Sequence, residues 1–318
     1  MRANLVKVML RAAVTAGLAA AIGAGAIGAG FGEGSYRSTD ALAVRDPDGW
    51  ATWWRRDAAP THWDAKAPLA GRVSWRAGRP GIEWGELQIR GASEAWRTRV
   101  VVVRLDPRRV ALSLAPAFTG ESDWTAGRAD ADADVAFDAG QFRGSLPWGW
   151  VVTDGREILQ PQYAPLAGAV VVDSSGVVRV VPPEHVSAER RRGTAREAFQ
   201  SYPMLLRDGT VPAPLVDTGL GVNLGHRDAR LALGTLADGR VIVALTRFDA
   251  LGGSLGRIPF GLTSSEMAAV MGALGCRDAL LLDGGISGQL LVRDASGARR
   301  VWPGTRGVPL GLVGRARR

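Results

Sequence analysis

A chain of 318 residues with 46% apolar content is long and hydrophobic enough to bury one substantial core, which excludes a disordered protein. Its single cysteine, Cys276, excludes an intramolecular disulfide, and a formal net charge of +8, carried almost wholly by arginine, suits anionic glycans, phospholipid surfaces or nucleic acid. The arginines are scattered and no nucleic-acid motif accompanies them, so no nucleic-acid partner is expected.

Arg2, Lys7 and Arg11 precede an uncharged run from Ala12 to Gly32, so residues 1–34 read as a signal peptide or a membrane anchor. Ala41–Ala43 offers an A-x-A cleavage pattern downstream. The expected location is exported: periplasmic, secreted, or membrane-anchored if the segment is uncleaved. Residues 35–80 form a Trp-rich lead-in, with Trp50, Trp53, Trp54, Trp63 and Trp75 expected to pack on the domain rather than stack on sugar.

Residues 81–314 carry the signals of one α+β domain, with mixed sheets and packed helices. Arg99–Leu105 and Val110–Leu114, joined at Asp106-Pro107, predict a strand pair. Val170–Val172 and Val177–Val181 predict a hairpin, and Glu184–Gln200 a charged helix with Arg190, Arg191 and Arg192 on a solvated face. Thr263 and Glu266 have capping-box spacing, and Met267, Val270, Met271 and Leu274 repeat at helical spacing up to Gly275, which predicts a second helix. Ala279–Leu282 predicts a strand buried on both faces and Gln289–Val292 another strand. Asp283, Gly284 and Gly285 lie between them. That triplet is an ordinary hairpin turn, and it is equally a place where backbone without Cβ atoms presents one carboxylate to a ligand.

Leu280–Val292, LLLDGGISGQLLV, resembles the LNLDGGGSxTMVV signature of the phosphodiester glycosidase family. Upstream segments follow the family in order. Val135–Phe142 (VAFDAGQF) resembles its strand-end NAGMF motif, and Gly149–Arg156 (GWVVTDGR) its GLxxxDGK stretch. Ser201–Gly209 (SYPMLLRDG) is similar to S-x-P-x-L-V-x-D-G, and His226–Gly234 with Asp238–Leu245 resembles RTAIG-x-x-x-DGR, aligning Arg230 with the family's arginine. The resemblance spans Val100–Val313 and implies a phosphodiester-glycosidase-like single domain that hydrolyses a sugar-1-phosphodiester in an envelope or extracellular glycan. It implies Asp283, Arg230 and Asp138 as catalytic residues, and Gly140, Gly284, Gly285, Ser287 and Asp249 as substrate-binding ones. Two positions depart from the pattern: Asp138 stands where the family commonly has Asn, and Ile286 replaces the third glycine.

The implied reaction makes sense of a site with few acids. A phosphate monoester, with a second pKa of about 6, leaves more readily than an alkoxide, so one base and one phosphate-holding guanidinium suffice. Asp283 would be base or nucleophile, and Arg230 the clamp. The alternative is a degenerate, non-catalytic glycan-binding module, which Asp138 and Ile286 favour. No cofactor is evident. His/Cys clusters at zinc spacing, a G-x-S-x-G elbow and a Walker A sequence are all missing, while a divalent-metal requirement stays open.

Overall fold

The computed structural model describes residues 39–64, 67–92, 96–118, 123–217, 219–249 and 255–317. The signal or anchor expected over residues 1–34 lies outside the described residues. Among those described, no helix is long and apolar enough to cross a membrane.

Side-chain alternation builds the largest sheet. Along Arg97–Leu105, Val101, Val103 and Leu105 enter one core while Val100 and Val102 enter another, so the strand is buried on both faces. Val241–Phe248 and Cys276–Leu281 divide in the same way, with Leu280 in one core and Ala279 and Leu281 in the other. These strands belong to a nine-stranded antiparallel sheet. Its order is Met204–Leu206, Cys276–Leu281, Leu231–Leu236, Val241–Phe248, Arg97–Leu105, Ile82–Gly91, Ala41–Asp46, Gly49–Arg55, with Arg76–Ala77 beside Ile82–Gly91.

Two five-stranded sheets close over one face of it. The first runs Arg299–Trp302, Leu290–Arg293, Val135–Asp138, Leu310–Ala316, Val110–Pro116; the second runs Arg156–Leu159, Val151–Thr153, Ala195–Ser201, Gly168–Asp173, Val178–Val181. All three sheets feed one core, exemplified by Val103 and Leu280, by Phe137 and Leu312, and by Val170 and Phe199. The described residues hold two ten-residue α-helices, α1 (Pro183–Arg192) and α2 (Ser264–Ala273). Helix α2 covers the opposite face of the nine-stranded sheet through Met267, Val270 and Met271.

This architecture corrects the α+β expectation of mixed sheets with packed helices: the fold is sheet-rich and antiparallel, and the helices are two short covers. The charged segment predicted as one helix stops at Gly193, whose φ of 65° ends α1, and continues as the strand Ala195–Ser201. Arg97–Leu105 and Val110–Pro116 both form but do not pair. The first lies between Ile82–Gly91 and Val241–Phe248, the second against Leu310–Ala316, so the Asp106-Pro107 turn carries the chain from sheet to sheet. The hairpin Gly168–Asp173/Val178–Val181 forms, pairing Val170 with Val180. Within the Trp-rich segment, Ala41–Asp46 and Gly49–Arg55 make a hairpin at the edge of the large sheet. Trp54 is buried there, and Trp53, Trp63 and Trp75 pack against the helix-side core.

The capping box is present, and it is part of a larger buried knot. The Thr263 side chain accepts from the Glu266 backbone N–H, and the Glu266 carboxylate accepts from Thr263 N (3.0 Å), Thr39 N (2.8 Å) and both Arg227 terminal nitrogens (2.9 Å each). Glu266 is fully buried, so removing its carboxylate strands a buried guanidinium. Glu266→Ala is therefore expected to lower the unfolding free energy by about 3–5 kcal/mol, read from the midpoint of a urea denaturation curve.

Candidate active site

The strands flanking Asp283 lie in different sheets, so Leu282–Gln289 is a crossover and its glycines serve close packing rather than a hairpin. Leu282 N donates to Leu231 O (2.8 Å), Gly285 N to Ala229 O (2.7 Å), and Gln289 N to Asp138 Oδ1 (2.9 Å). A Cβ at Gly284 would sit 2.4 Å from Ala229 O. Gly285 has φ +58°, and a Cβ there would meet Asp228 Oδ2 at 2.9 Å. Ile286, in place of the third glycine, points outward with 45% exposure, so its branched side chain leaves the close contacts free. The segment after Trp302 is clipped onto the crossover where Thr305 N donates to Ile286 O (2.8 Å).

This geometry gathers two carboxyls. Asp138 ends the strand Val135–Asp138, fully buried, and beyond the bond from Gln289 its Oδ2 is buried with no hydrogen-bond partner. Asp283 bonds to the Ser287 side chain, and its Oδ2 is likewise buried and unpartnered. Burial raises the Asp283 pKa to about 6, with a smaller push in the same direction from the Asp228 charge, against the Ser287 bond and the Arg306 charge that favour ionisation. Burial and then the Asp283 charge push Asp138 well above the ordinary carboxylate range. Asp283 thus ionises first, and its charge helps to hold the Asp138 proton.

Gly140 turns the chain beyond Asp138 at φ +49°, and a Cβ there would lie 2.7 Å from Gln200 O. Gln141 Nε2 donates to Tyr202 O (2.5 Å) and Ser201 Oγ to Leu281 O (2.6 Å), so Val135–Phe142, Ser201–Gly209 and Leu280–Val292 meet at one end of the fold. Arg230 approaches with its backbone only: its Cα would lie 3.3 Å from a Cβ at Gly284. Its buried guanidinium donates through Nε to Leu262 O (2.9 Å) and through Nη2 to His226 O (2.6 Å), and the charges that face it are Asp228, Glu266 and Arg227. Asp249 is engaged by Gln88 Nε2 (3.0 Å) and Arg99 Nη2 (3.2 Å). Asp138, Asp283, Ser287 and the glycines are therefore brought together, whereas the Arg230 guanidinium and the Asp249 carboxylate are turned to other partners.

Three further residues belong to the site. Asp228 packs on Gly285, Arg306 lies with its guanidinium 4.7 Å from the Phe142 ring centroid and within electrostatic reach of Asp283, and Arg247 faces Asp138. Arg247 had a sequence signal, a charge inside the apolar run VIVALTRF; Arg306 had none. Among the described residues, no group of three or more His, Cys, Asp or Glu side chains converges as metal ligands.

A family model described as Phosphodiester glycosidase matches residues 129–313, more than half of the chain and all of this site. This chain belongs to the phosphodiester glycosidase family. The membership makes it a glycosidase-type hydrolase by family. Among solved structures it is similar to the catalytic domain of zebrafish N-acetylglucosamine-1-phosphodiester alpha-N-acetylglucosaminidase, with 15% identity and a TM-score of 0.54 over 81% of this chain and 95% of that one. A hypothetical protein from Synechocystis is 16% identical with a TM-score of 0.51, over 88% of this chain and 68% of that one. Both likenesses concern the fold alone. No curated protein matches.

Because burial lifts the folded Asp283 pKa to about 6, above the unfolded value of about 3.9, the folded family member binds the extra proton between those limits. Its stability contribution is full below about pH 4 and falls as pH rises toward 6. Asp283→Asn, which carries no charge at any pH, is expected to exceed the parent above pH 6 by about 2–3 kcal/mol and to lose that advantage below pH 4. Thermal unfolding of both proteins at the two pH values checks it.

Proposed function

We propose that this phosphodiester glycosidase is an exported enzyme that cleaves the bond between a sugar's anomeric carbon and phosphate in a sugar-1-phosphodiester of an envelope or extracellular glycan. The observation that carries the proposal is the pair of carboxyls at one sheet crossover, each with a buried, unpartnered oxygen, and burial raises the pKa of both, that of Asp283 to about 6. Asp283 is the base or nucleophile. Above pH 6 its ionised oxygen takes a proton from water as that water attacks the anomeric carbon, or attacks the carbon itself to form a glycosyl ester that water then hydrolyses; in either route the C–O bond breaks and its electron pair leaves on the phosphate monoester. The low second pKa of the departing phosphate removes the need for a strong general acid.

Asp138 supplies neutrality and a donor. Its Oδ1 accepts from Gln289 N–H, and its protonated Oδ2 offers an O–H, which is the donor-and-acceptor pattern of the asparagine common at this place in the family. The departure from Asn therefore changes less chemistry than an ionised aspartate would. Arg306 supplies the positive charge that offsets part of the burial cost of ionised Asp283. Arg230 acts as a positioning residue: by holding His226 O and Leu262 O it fixes the backbone on which Gly284 rests.

Sugar release from a generic sugar-1-phosphodiester tests the proposal. The parent is expected to turn over with a rate that rises with pH through about 6, and Asp283→Asn to lose about 10²–10⁴-fold in kcat. Asp138→Asn should stay within about threefold of the parent, because the amide is neutral and donates as the protonated acid does. A parent that binds the diester and releases no sugar would leave a glycan-binding module in place of an enzyme. Export is tested separately by fusing residues 1–57 to a reporter active only outside the cytoplasm; an inactive reporter would contradict the proposed location.

A further inference from the structure

Arg247, whose charge faces Asp138, lines a cleft of about 280 Å³ with two unlike walls. One wall is charged and mainly cationic: Arg99, Arg247 and Arg257, with Asp249 beside Arg99. The other is apolar: Phe248, Val301 and Trp302. Arg247 belongs to both places, since its charge faces Asp138 on one side and Arg257 on the other.

The electrostatics of the cationic wall are incomplete without a ligand. Arg247 is 93% buried by its 7% exposure, and its Nη2 donates to Gly288 O (2.5 Å), Trp302 O (3.2 Å) and Pro303 O (3.2 Å), which leaves Nε and Nη1 with no protein acceptor among the described residues. No carboxylate there lies within ion-pair distance of it, and Asp138, the acid whose charge reaches it, has its own pKa raised well above the ordinary carboxylate range by burial. Arg257 is exposed, makes no ion pair among the described residues, and adds like charge. Burial accordingly pulls the Arg247 pKa down to about 10. Arg99 differs: Asp249 and Glu86 at 3.2 and 3.8 Å already balance it. Two arginines within electrostatic reach of each other, neither with an ion-pair partner among the described residues, form a site for a doubly charged anion, because a phosphate accepts from both forks and removes their repulsion.

Resting on the hydrolase reading above, we infer that this cleft holds the phosphate-bearing side of the substrate, with the phosphate between Arg247 and Arg257 and an apolar or ring-shaped aglycone against Phe248 and Trp302. The sugar then lies toward Asp283 and the leaving group toward the cleft. Organophosphates with a hydrophobic portion are the ligand class, and the phosphate-monoester product is held there until it departs. The net positive charge of the chain draws such anions toward the site.

Phenyl phosphate, which joins a phosphate to one apolar ring, is the probe, titrated calorimetrically into the full chain with phenol and inorganic phosphate alongside. Phenyl phosphate is expected to bind more tightly than either, and to bind about tenfold or more weakly to Arg257→Glu, an exposed substitution that leaves the core untouched. Unchanged affinity in Arg257→Glu would overturn the phosphate assignment, and equal affinity for inorganic phosphate would overturn the apolar wall. A parent that releases sugar but fails these arms loses the cleft and keeps the hydrolase; one that passes them and releases no sugar keeps the anion site and loses the hydrolase.

Discussion

The structure depends on one crossover, Leu282–Gln289, being able to pass between two sheets at backbone contact distance. Its floor is Ala229 and Arg230, its roof is the clipped segment Pro303–Thr305, and its far end is tied to Asp138 by the Gln289 N–H. Only glycine satisfies the first two positions after Asp283, one for space and the other for φ. The same closeness that demands glycine excludes water, and exclusion of water is what separates the two carboxyls in proton affinity. Packing and acidity at this site therefore have one cause.

That cause also explains why a carboxyl serves where an amide is common. In water aspartate and asparagine differ by a charge; in a fully enclosed position they differ by little more than one hydrogen and its donor direction. Asp138 is held in such a position, with an N–H donor on one oxygen and the partner acid nearby. The arrangement makes Asp283, within reach of the Arg306 charge, the more readily ionised of the pair, and leaves Arg247 with no carboxylate at ion-pair distance among the described residues. Arg306 acts on Asp283 and Arg247 on Asp138, so each carboxyl of the pair has one guanidinium within electrostatic reach.

Much of the site was legible because its motifs are built from residues with few structural uses. Asp283-Gly284-Gly285, the Thr263–Glu266 capping box and the Gly140 turn each announced themselves through backbone demands that the structure then displays. The fold class was not legible for a physical reason: strands such as Ala195–Ser201, AREAFQS, mix charge with apolar residues because they face a core on one side and a helix on the other, and they imitate a charged helix. Sheet membership was equally hidden, since the Asp106-Pro107 turn looks the same whether its flanking strands pair or part. The orientation of Arg230 depended on the carbonyls of His226 and Leu262, a contact across the chain that no local pattern encodes.

The central claim is that the buried pair carries one proton and one charge at neutral pH, with the charge on Asp283. Carboxyl-carbon NMR of the aspartate-labelled chain, recorded against Asp138→Asn and Asp283→Asn for assignment, measures this directly. The Asp283 signal is expected to titrate near pH 6, and the Asp138 signal to remain in its protonated position beyond that point. Two signals that both titrate near the ordinary aspartate value of about 3.9 would contradict the account, because the site would then hold two charges and Asp138 could not stand in for an amide.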